Sequence, residues 1–403
     1  MPVRSDDSAG AKKMKILFFV SSMHAGGAER VAATLASAWA RRGDSVTLVP
    51  AYTKKGSCFY RLNAAVRLTW LADRMGWIGK KLWPPVAKWF AIRRLVRETR
   101  PDVIVSFLTN VNVTVLAATR GMRVPVIVCE RTNPAFSFSS GDMLKRLRRW
   151  LYPRATVVVL QSQDSVEAFQ AMVPGLARVA VVPNPLPADI PEAEPVRGPL
   201  AGGERRHLMA MGRLVPIKRF DALIQAFAAI AADFPEWDLT IWGEGPLRDD
   251  LTGQIEQTGL TQRISLPGRT ADPWTELART DVFAMTSQVE GFPNVLLEAM
   301  ALGRPCVTVD CPSGPREISQ DGKYALLVPL GDQPALCAAL SQLMADPTLR
   351  DVMGRHAAAS VRERYGLPQL LASWDALFES VQRPDKAETA LAASSHRASG
   401  TDA

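Results

Sequence analysis

Histidine and cysteine are scarce in this chain of 403 residues, and each scarcity removes a class of chemistry. The four histidines are scattered, so a histidine-based metal centre has no material, and no Asp-x-Asp occurs. No metal and no cofactor are therefore expected. The five cysteines, Cys58, Cys129, Cys306, Cys311 and Cys337, are odd in number and form no Cys-x-x-Cys pair. That usage fits a reducing cytoplasm better than a disulfide framework or a zinc site. No run reaches about 18 predominantly apolar residues; Val103 to Thr119 carries Ser106, Asn110 and Asn112. A transmembrane helix is not expected. Lys12-Lys13-Met14-Lys15 ahead of Ile16 to Val20 imitates a signal peptide, but His24 and Gly26-Gly27 cut the apolar run short. A Gly-x-Gly-x-x-Gly phrase is also missing, so a nicotinamide cofactor is unsupported.

Acidic residues are scarce in one half only. Residues 1–185 hold 28 Lys/Arg against 11 Asp/Glu, a net +17, whereas residues 186–403 hold 20 against 29, a net −9. Such asymmetry points to a polyanionic partner for the first half. Residues 54–100 concentrate it, with 12 Lys/Arg, the acids Asp73 and Glu98, and Trp70, Trp77, Trp83 and Trp89. Pro84-Pro85 precedes a helix over Val86 to Thr99, with Trp89, Ile92, Leu95 and Val96 on one face. Basic residues with interfacial aromatics read as a segment for an anionic membrane surface. A solvated helix packed on the domain is the alternative, and no nucleic-acid motif is present.

Apolar residues make up 47% and charged residues 22%, the balance of a globular protein whose length allows two or three domains. Residues 1–13 and 383–403 are polar or Ala/Ser/Thr-rich and expected to be disordered. Strand Ile16 to Val20, the glycine turn at Gly26-Gly27, helix Ala28 to Arg42 and strand Val46 to Val49 make a βαβ unit. Further strands follow at Val103 to Ser106, Val124 to Cys129, Ala155 to Leu160 and Val179 to Val182. Residues 183–206 hold six prolines and three glycines, and 186–206 reads as a linker. Strands then recur at His207 to Met211, Leu239 to Trp242, Ile264 to Leu266, Val282 to Met285 and Cys306 to Val309. Leu367 to Val381 is a last helix.

The most informative stretch is Ser287 to Gly303. Gly291 frees the backbone at a turn, Pro293 suits a first helical position, and Gly303 with Pro305 stops the helix. Free amides at Asn294, Val295 and Leu296 would form a positive mouth suited to a diphosphate. Glu290 stands before that mouth. Glu298 lies in an apolar run, so it should be partly buried and need a hydrogen-bond partner.

The phrase Glu-Gly-Phe-Pro-Asn-Val-Leu-Leu-Glu, with Ala-Met-Ala-x-Gly-x-Pro after it, resembles the signature of the family 4 retaining glycosyltransferases. The resemblance covers about residues 14–381 and is strongest in the second half. It implies the GT-B architecture, α/β with two doubly wound Rossmann-like domains facing a cleft. Residues 14–185 would be the acceptor domain and 207–366 the nucleotide-sugar domain, with 367–382 crossing back onto the first. It implies that Glu290 lies near the transferred sugar, that Glu298 binds the ribose, and that Arg213 and Lys218 neutralise the leaving diphosphate. Donor contacts are also implied for Gly26, Gly27, Gly212, Gly243, Arg269, Gly291, Phe292, Asn294, Val295 and Leu296. Glu130, Arg131 and Asn133 resemble a subgroup acting on bacterial surface glycans and, with Lys145 and Arg146, are acceptor-side candidates. The implied activity is retaining transfer of a sugar, with a lean toward N-acetylhexosamine from a UDP donor. The acceptor would be a polyprenyl-diphosphate-linked or lipopolysaccharide-type glycan at the cytoplasmic face of an inner membrane. A nucleotide-sugar 2-epimerase of the same fold and an inert scaffold of a polysaccharide assembly complex are the alternatives.

Overall fold

The computed structural model describes residues 13–52, 58–76, 84–131, 141–194 and 204–382. The expectations for residues 1–12, Trp77, Trp83, Asn133 and 383–403 lie outside the described residues.

The first sheet contains β1 (Lys15–Val20), β2 (Ser45–Pro50), β3 (Arg67–Leu68), β4 (Val103–Phe107), β5 (Val126–Cys129), β6 (Val157–Leu160) and β7 (Val179–Val181). All its pairings are parallel, in the order β3-β2-β1-β4-β5-β6-β7. The second sheet contains β8 (Arg206–Met211), β9 (Trp237–Trp242), β10 (Ile264–Gly268), β11 (Val282–Met285), β12 (Cys306–Asp310) and β13 (Leu326–Pro329). It too is parallel, in the order β10-β9-β8-β11-β12-β13. Parallel strands are covered on both faces, which is why β4 and β11 are apolar runs buried at every position.

Helices α1 (Gly27–Arg41), α2 (Pro84–Thr99), α3 (Thr109–Thr119), α4 (Asp142–Leu151) and α5 (Val166–Met172) alternate with the first set of strands. Helices α6 (Phe220–Ile230), α7 (Arg248–Thr258), α8 (Pro273–Arg279), α9 (Asn294–Ala301), α10 (Pro315–Ser319) and α11 (Gln333–Ala345) alternate with the second. Then come α12 (Pro347–Tyr365) and α13 (Leu367–Gln382). Each sheet reverses its strand order once, at β1/β4 and at β8/β11. Ligands of open α/β sheets sit beyond the carboxyl ends of the strands at such reversals. The Gly26-Gly27 turn follows β1, the Gly212 to Lys218 loop follows β8, and the Glu290 loop follows β11.

Helix α13 packs back on the first sheet's side. Trp374 meets the fully buried Trp39 of α1 edge-on at 5.4 Å, and Phe378 lies 5.4 Å from the same ring. Arg42 pairs with Asp375 at 2.5 Å.

Two local expectations are corrected. Pro293 is the N-cap rather than the first helical residue, because its backbone is extended (φ −76°, ψ 95°) and α9 begins at Asn294. The described part of the proline-rich 186–206 stretch is also packed. Leu186 and Ile190 are buried, the Leu186 amide donates to the Tyr365 carbonyl at 2.8 Å, and Arg304 and Arg362 donate to the Glu194 and Pro191 carbonyls. Prolines lack amides but keep carbonyls, and Arg362 uses that of Pro191.

Candidate active site

The loop from Ser287 to Pro293 is held from two sides. Gln288 donates its amide to the Ile217 carbonyl and Glu290 to the Pro312 carbonyl, both at 2.8 Å, while Ser313 returns its amide to the Glu290 carbonyl at 3.2 Å. Gly314, at φ +101°, lets that second strand-end loop approach. A Cβ there would lie 2.8 Å from the Pro293 ring. Phe292 is buried with its ring 5.4 Å from Tyr365. Gly291 and Phe292 therefore fix the Glu290 carboxylate and the mouth of α9 relative to each other.

The cationic side of the site comes from the loop after β8. Lys218 donates to Glu290 Oε1 at 2.5 Å. The sequence brings the two together from 72 residues apart. Gly212 donates its amide to the Trp242 carbonyl at 2.9 Å, and Lys218 lies alongside its Cα. Gly243, at φ +149°, packs so closely that a Cβ would lie 1.7 Å from the Gly212 carbonyl oxygen. Arg213 is exposed, with no acidic partner among the described residues. Arg269 is exposed beyond β10, within electrostatic reach of Glu244, which Arg248 holds at 2.6 Å.

The first domain reaches the same helix mouth. Asn294 donates through Nδ2 to the Gly27 carbonyl at 3.4 Å and accepts from Asn184 Nδ2 at 2.7 Å. Asn184 Oδ1 in turn accepts from Arg131 and Gln161, each at 2.7 Å. Tyr60 spans the glycine turn, accepting the Gly26 amide at 2.9 Å and donating to the Gly26 carbonyl at 2.8 Å. Glu298 is 2% exposed. Arg30 of α1 pairs with its Oε1, and Trp274 of α8 donates to its Oε2 at 3.2 Å. Burial pushes the Glu298 carboxyl above its usual range, and Arg30 and Trp274 pull it back. Arg30 and Trp274 also line a cavity of about 360 Å³ between α1, the Tyr60 segment and Asp189.

The acceptor-side candidates divide. Arg131 is buried over the Phe107 ring at 3.6 Å and joins the chain of polar groups that ends at Asn294. Burial lowers its pKa to about 10, and among the described residues its Nε and Nη2 have no hydrogen-bond partner. Glu130 belongs to a separate buried network, taking hydrogen bonds from Thr109 at 2.8 and 3.0 Å and from Tyr152. Its carboxyl is raised by burial. Lys145 and Arg146 are exposed on α4, Lys145 lying 3.6 Å from Asp142. Among the described residues no three His, Cys, Asp or Glu side chains converge.

Sequence reasoning overlooked Arg30, Tyr60, Gln161, Asn184 and Trp274 as site residues. Arg30 closes the Gly-Gly-Ala-Glu-Arg phrase and Asn184 is the centre of Pro-Asn-Pro, so both had a signal in the chain. Tyr60, Gln161 and Trp274 had none.

Residues 26–185 match the family model of the glycosyl transferase 4-like domain, and residues 205–346 match that of the glycosyl transferases group 1. Together these matches span about three-quarters of the chain. The chain is 26% identical over 374 residues to the GalNAc-α-(1→4)-GalNAc-α-(1→3)-diNAcBac-PP-undecaprenol α-1,4-N-acetyl-D-galactosaminyltransferase of Campylobacter jejuni, covering 92% of this chain and 99% of that one. It is 24% identical over 360 residues to the same organism's N-acetylgalactosamine-N,N′-diacetylbacillosaminyl-diphospho-undecaprenol 4-α-N-acetylgalactosaminyltransferase, covering 83% and 92%. The fold is similar to that of HepE from Anabaena, solved with UDP and glucose, at a TM-score of 0.73 and 22% identity over 91% of this chain and 100% of that one. The epimerase alternative finds no support in these matches. With a 4-like domain in its first half, a group 1 domain in its second and a parallel doubly wound sheet in each, the chain belongs to the glycosyltransferases of GT-B architecture.

Proposed function

We propose that the protein is a retaining hexosyltransferase that moves N-acetylhexosamine from a UDP-sugar to a polyprenyl-diphosphate-linked or lipopolysaccharide-type acceptor in bacterial surface glycan synthesis. One observation carries the proposal. Beside the mouth of α9 Lys218 meets Glu290 in the second domain, and Gly27 and Asn184 of the first domain bond to Asn294, so both domains converge on one helix N-terminus. The relatives that act on undecaprenol-diphosphate glycans support the substrate class, and the UDP in the HepE fold neighbour supports the nucleotide.

In this reading the diphosphate lies on the amides of Asn294, Val295 and Leu296. An ammonium has three donors, so Lys218 keeps Glu290 in place while giving its remaining hydrogens to phosphate oxygens. Arg213 adds a second cation from the same loop. As the bond from the anomeric carbon to the phosphate oxygen breaks, its electron pair goes to that oxygen, and these groups stabilise the charge that builds there. The acceptor hydroxyl attacks on the face being vacated, its proton passes to the leaving phosphate, and configuration is retained. Glu290 orients the sugar and Glu298 accepts from the ribose. The nucleotide-sugar is a co-substrate, and the reading calls for no metal.

The division into an acceptor domain at 14–185 and a donor domain at 207–366 is part of the proposal, as is a peripheral site on the cytoplasmic face of the membrane. Helices α2 and α4 both flank α3, and they expose Phe90 (62%), Met143 (73%) and Trp150 (54%) among Arg94, Arg97, Lys145, Arg146 and Arg149. Among the described residues no helix is long and apolar enough to cross a membrane. Incubation with a panel of nucleotide-sugars, first alone and then with bacterial membranes carrying lipid-linked glycans, tests the reading. Acceptor-dependent release of UDP is expected, and rearrangement of the donor without an acceptor would contradict it.

A further inference from the structure

We infer that Arg30, on the first helix of the first domain, is a positioning residue that holds Glu298 in the orientation and charge state the donor ribose requires. The inference rests on the donor-site assignment proposed above. A carboxylate as buried as Glu298 is stable only with a cation and hydrogen bonds around it. Among the described residues, the polar and titratable groups set around it come from α1, α8 and the segment before β3. Helix α1 supplies Arg30 on Oε1, together with Glu29, whose carboxylate is held by Ser22 at 2.7 Å. Helix α8 supplies Trp274 on Oε2. The segment before β3 supplies Tyr60, whose hydroxyl is occupied by both backbone groups of Gly26. Among the described residues Arg30 is thus the one cation acting on this carboxylate. A carboxylate offers about four acceptor sites. Arg30 and Trp274 each take one on a different oxygen, which leaves one on each for the two neighbouring ribose hydroxyls.

This geometry makes the nucleotide site a product of both domains. Helix α9 carries the acceptor carboxylate, and the first domain supplies the charge that keeps it ionised. Removing the guanidinium leaves Glu298 buried with the Trp274 hydrogen bond but no cation, so the carboxyl takes up a proton at higher pH. A protonated Glu298 offers the ribose a poorer acceptor.

UDP affinity measured by calorimetry from about pH 5.5 to about pH 9 tests this. Glu298→Gln comes first, because it reports the titration of UDP itself. If it binds UDP as wild type does, the ribose assignment fails and takes the inference with it. With that variant weakened, Arg30→Ala is expected to move the acid limb of UDP affinity upward by about one pH unit or more, since a cation at contact distance lowers a carboxyl by roughly 1–3 units. Near the alkaline end its affinity should approach that of wild type, and Arg30→Lys should restore the limb. Arg30→Ala combined with Glu298→Gln should titrate like Glu298→Gln alone. An Arg30→Ala loss that is the same at every pH, or a profile unchanged from wild type, would overturn the inference while the ribose assignment stands. Arg30→Gln keeps the reach without the charge and replaces Arg30→Ala if that variant does not fold.

Discussion

Glu290 and Glu298 stand on either side of one helix mouth, yet they answer to different cations. Glu290 is partnered by Lys218 of its own domain, and Glu298 by Arg30 across the cleft. Their variants should therefore behave differently. With Glu298 on the ribose as proposed, Glu298→Ala should raise the donor KM by about one to two orders of magnitude, the loss of a charged acceptor worth roughly 1.5–3 kcal/mol. An unchanged donor KM in a folded variant would return Glu298 to a structural role. With Lys218 and Arg213 on the diphosphate as proposed, Lys218→Ala and Arg213→Ala should instead lower kcat by roughly 10²–10³, since a cation there matters most as charge builds on the leaving phosphate. Steady-state kinetics within about threefold of wild type for both would remove them from the phosphate site.

These candidate residues stood out in the chain because their spacing is local. Glu290, Asn294 and Glu298 lie within one turn and one helix, and Arg213 and Lys218 within one loop. Their pairings across the molecule were not legible. Arg30 is far from Glu298 in sequence, Asn184 is 110 residues from Asn294, and nothing in either local stretch encodes the meeting. Glu130 shows the converse. Its position at a strand's carboxyl end pointed toward the cleft, but Thr109 and Tyr152, distant in sequence, enclose it.

At the scale of elements, strands that are buried on both faces announce themselves as apolar runs, so their positions were legible to within a few residues. The two-residue strand β3 and the packed Leu186 and Ile190 were not, because neither carries a periodic pattern. Close approach of backbone was legible only where a glycine marked it. Gly243 is the sharpest case, since β8 and β9 end so near each other that a methyl group would overlap the Gly212 carbonyl. Gly243→Ala should cost roughly 1–3 kcal/mol from backbone strain alone and more from the overlap. A clear fall in the thermal unfolding midpoint is expected, and kcat should fall in whatever folds, because the Arg213 loop follows Gly212. A midpoint equal to wild type would mean that the strand ends are looser than this geometry.

At the scale of the whole molecule, charge and apolar exposure coincide in the half that carries +17. Of the tryptophans expected at a membrane surface, Trp70 is buried, and Trp77 and Trp83 lie outside the described residues. Trp89 is turned inward, donating to the Ala117 carbonyl at 3.2 Å, and its neighbour Phe90 is the exposed ring. Each cation near an anionic leaflet contributes about 1 kcal/mol within a Debye length of about 8 Å. Co-sedimentation with anionic vesicles is therefore expected. High salt should weaken it, and Phe90→Ser with Trp150→Ser should weaken the part that salt leaves. Protein remaining in the supernatant with anionic vesicles at low salt would sever the basic face from the membrane.

Transfer of labelled N-acetylhexosamine from UDP to a lipid-linked glycan, with the anomeric configuration of the product read by NMR, tests the proposed chemistry most directly. The predicted result is one UDP released per sugar transferred, an α-linked product from an α-linked donor, and full activity in excess EDTA. A β-linked product, or transfer abolished by EDTA and restored by Mg²⁺ or Mn²⁺, would contradict it.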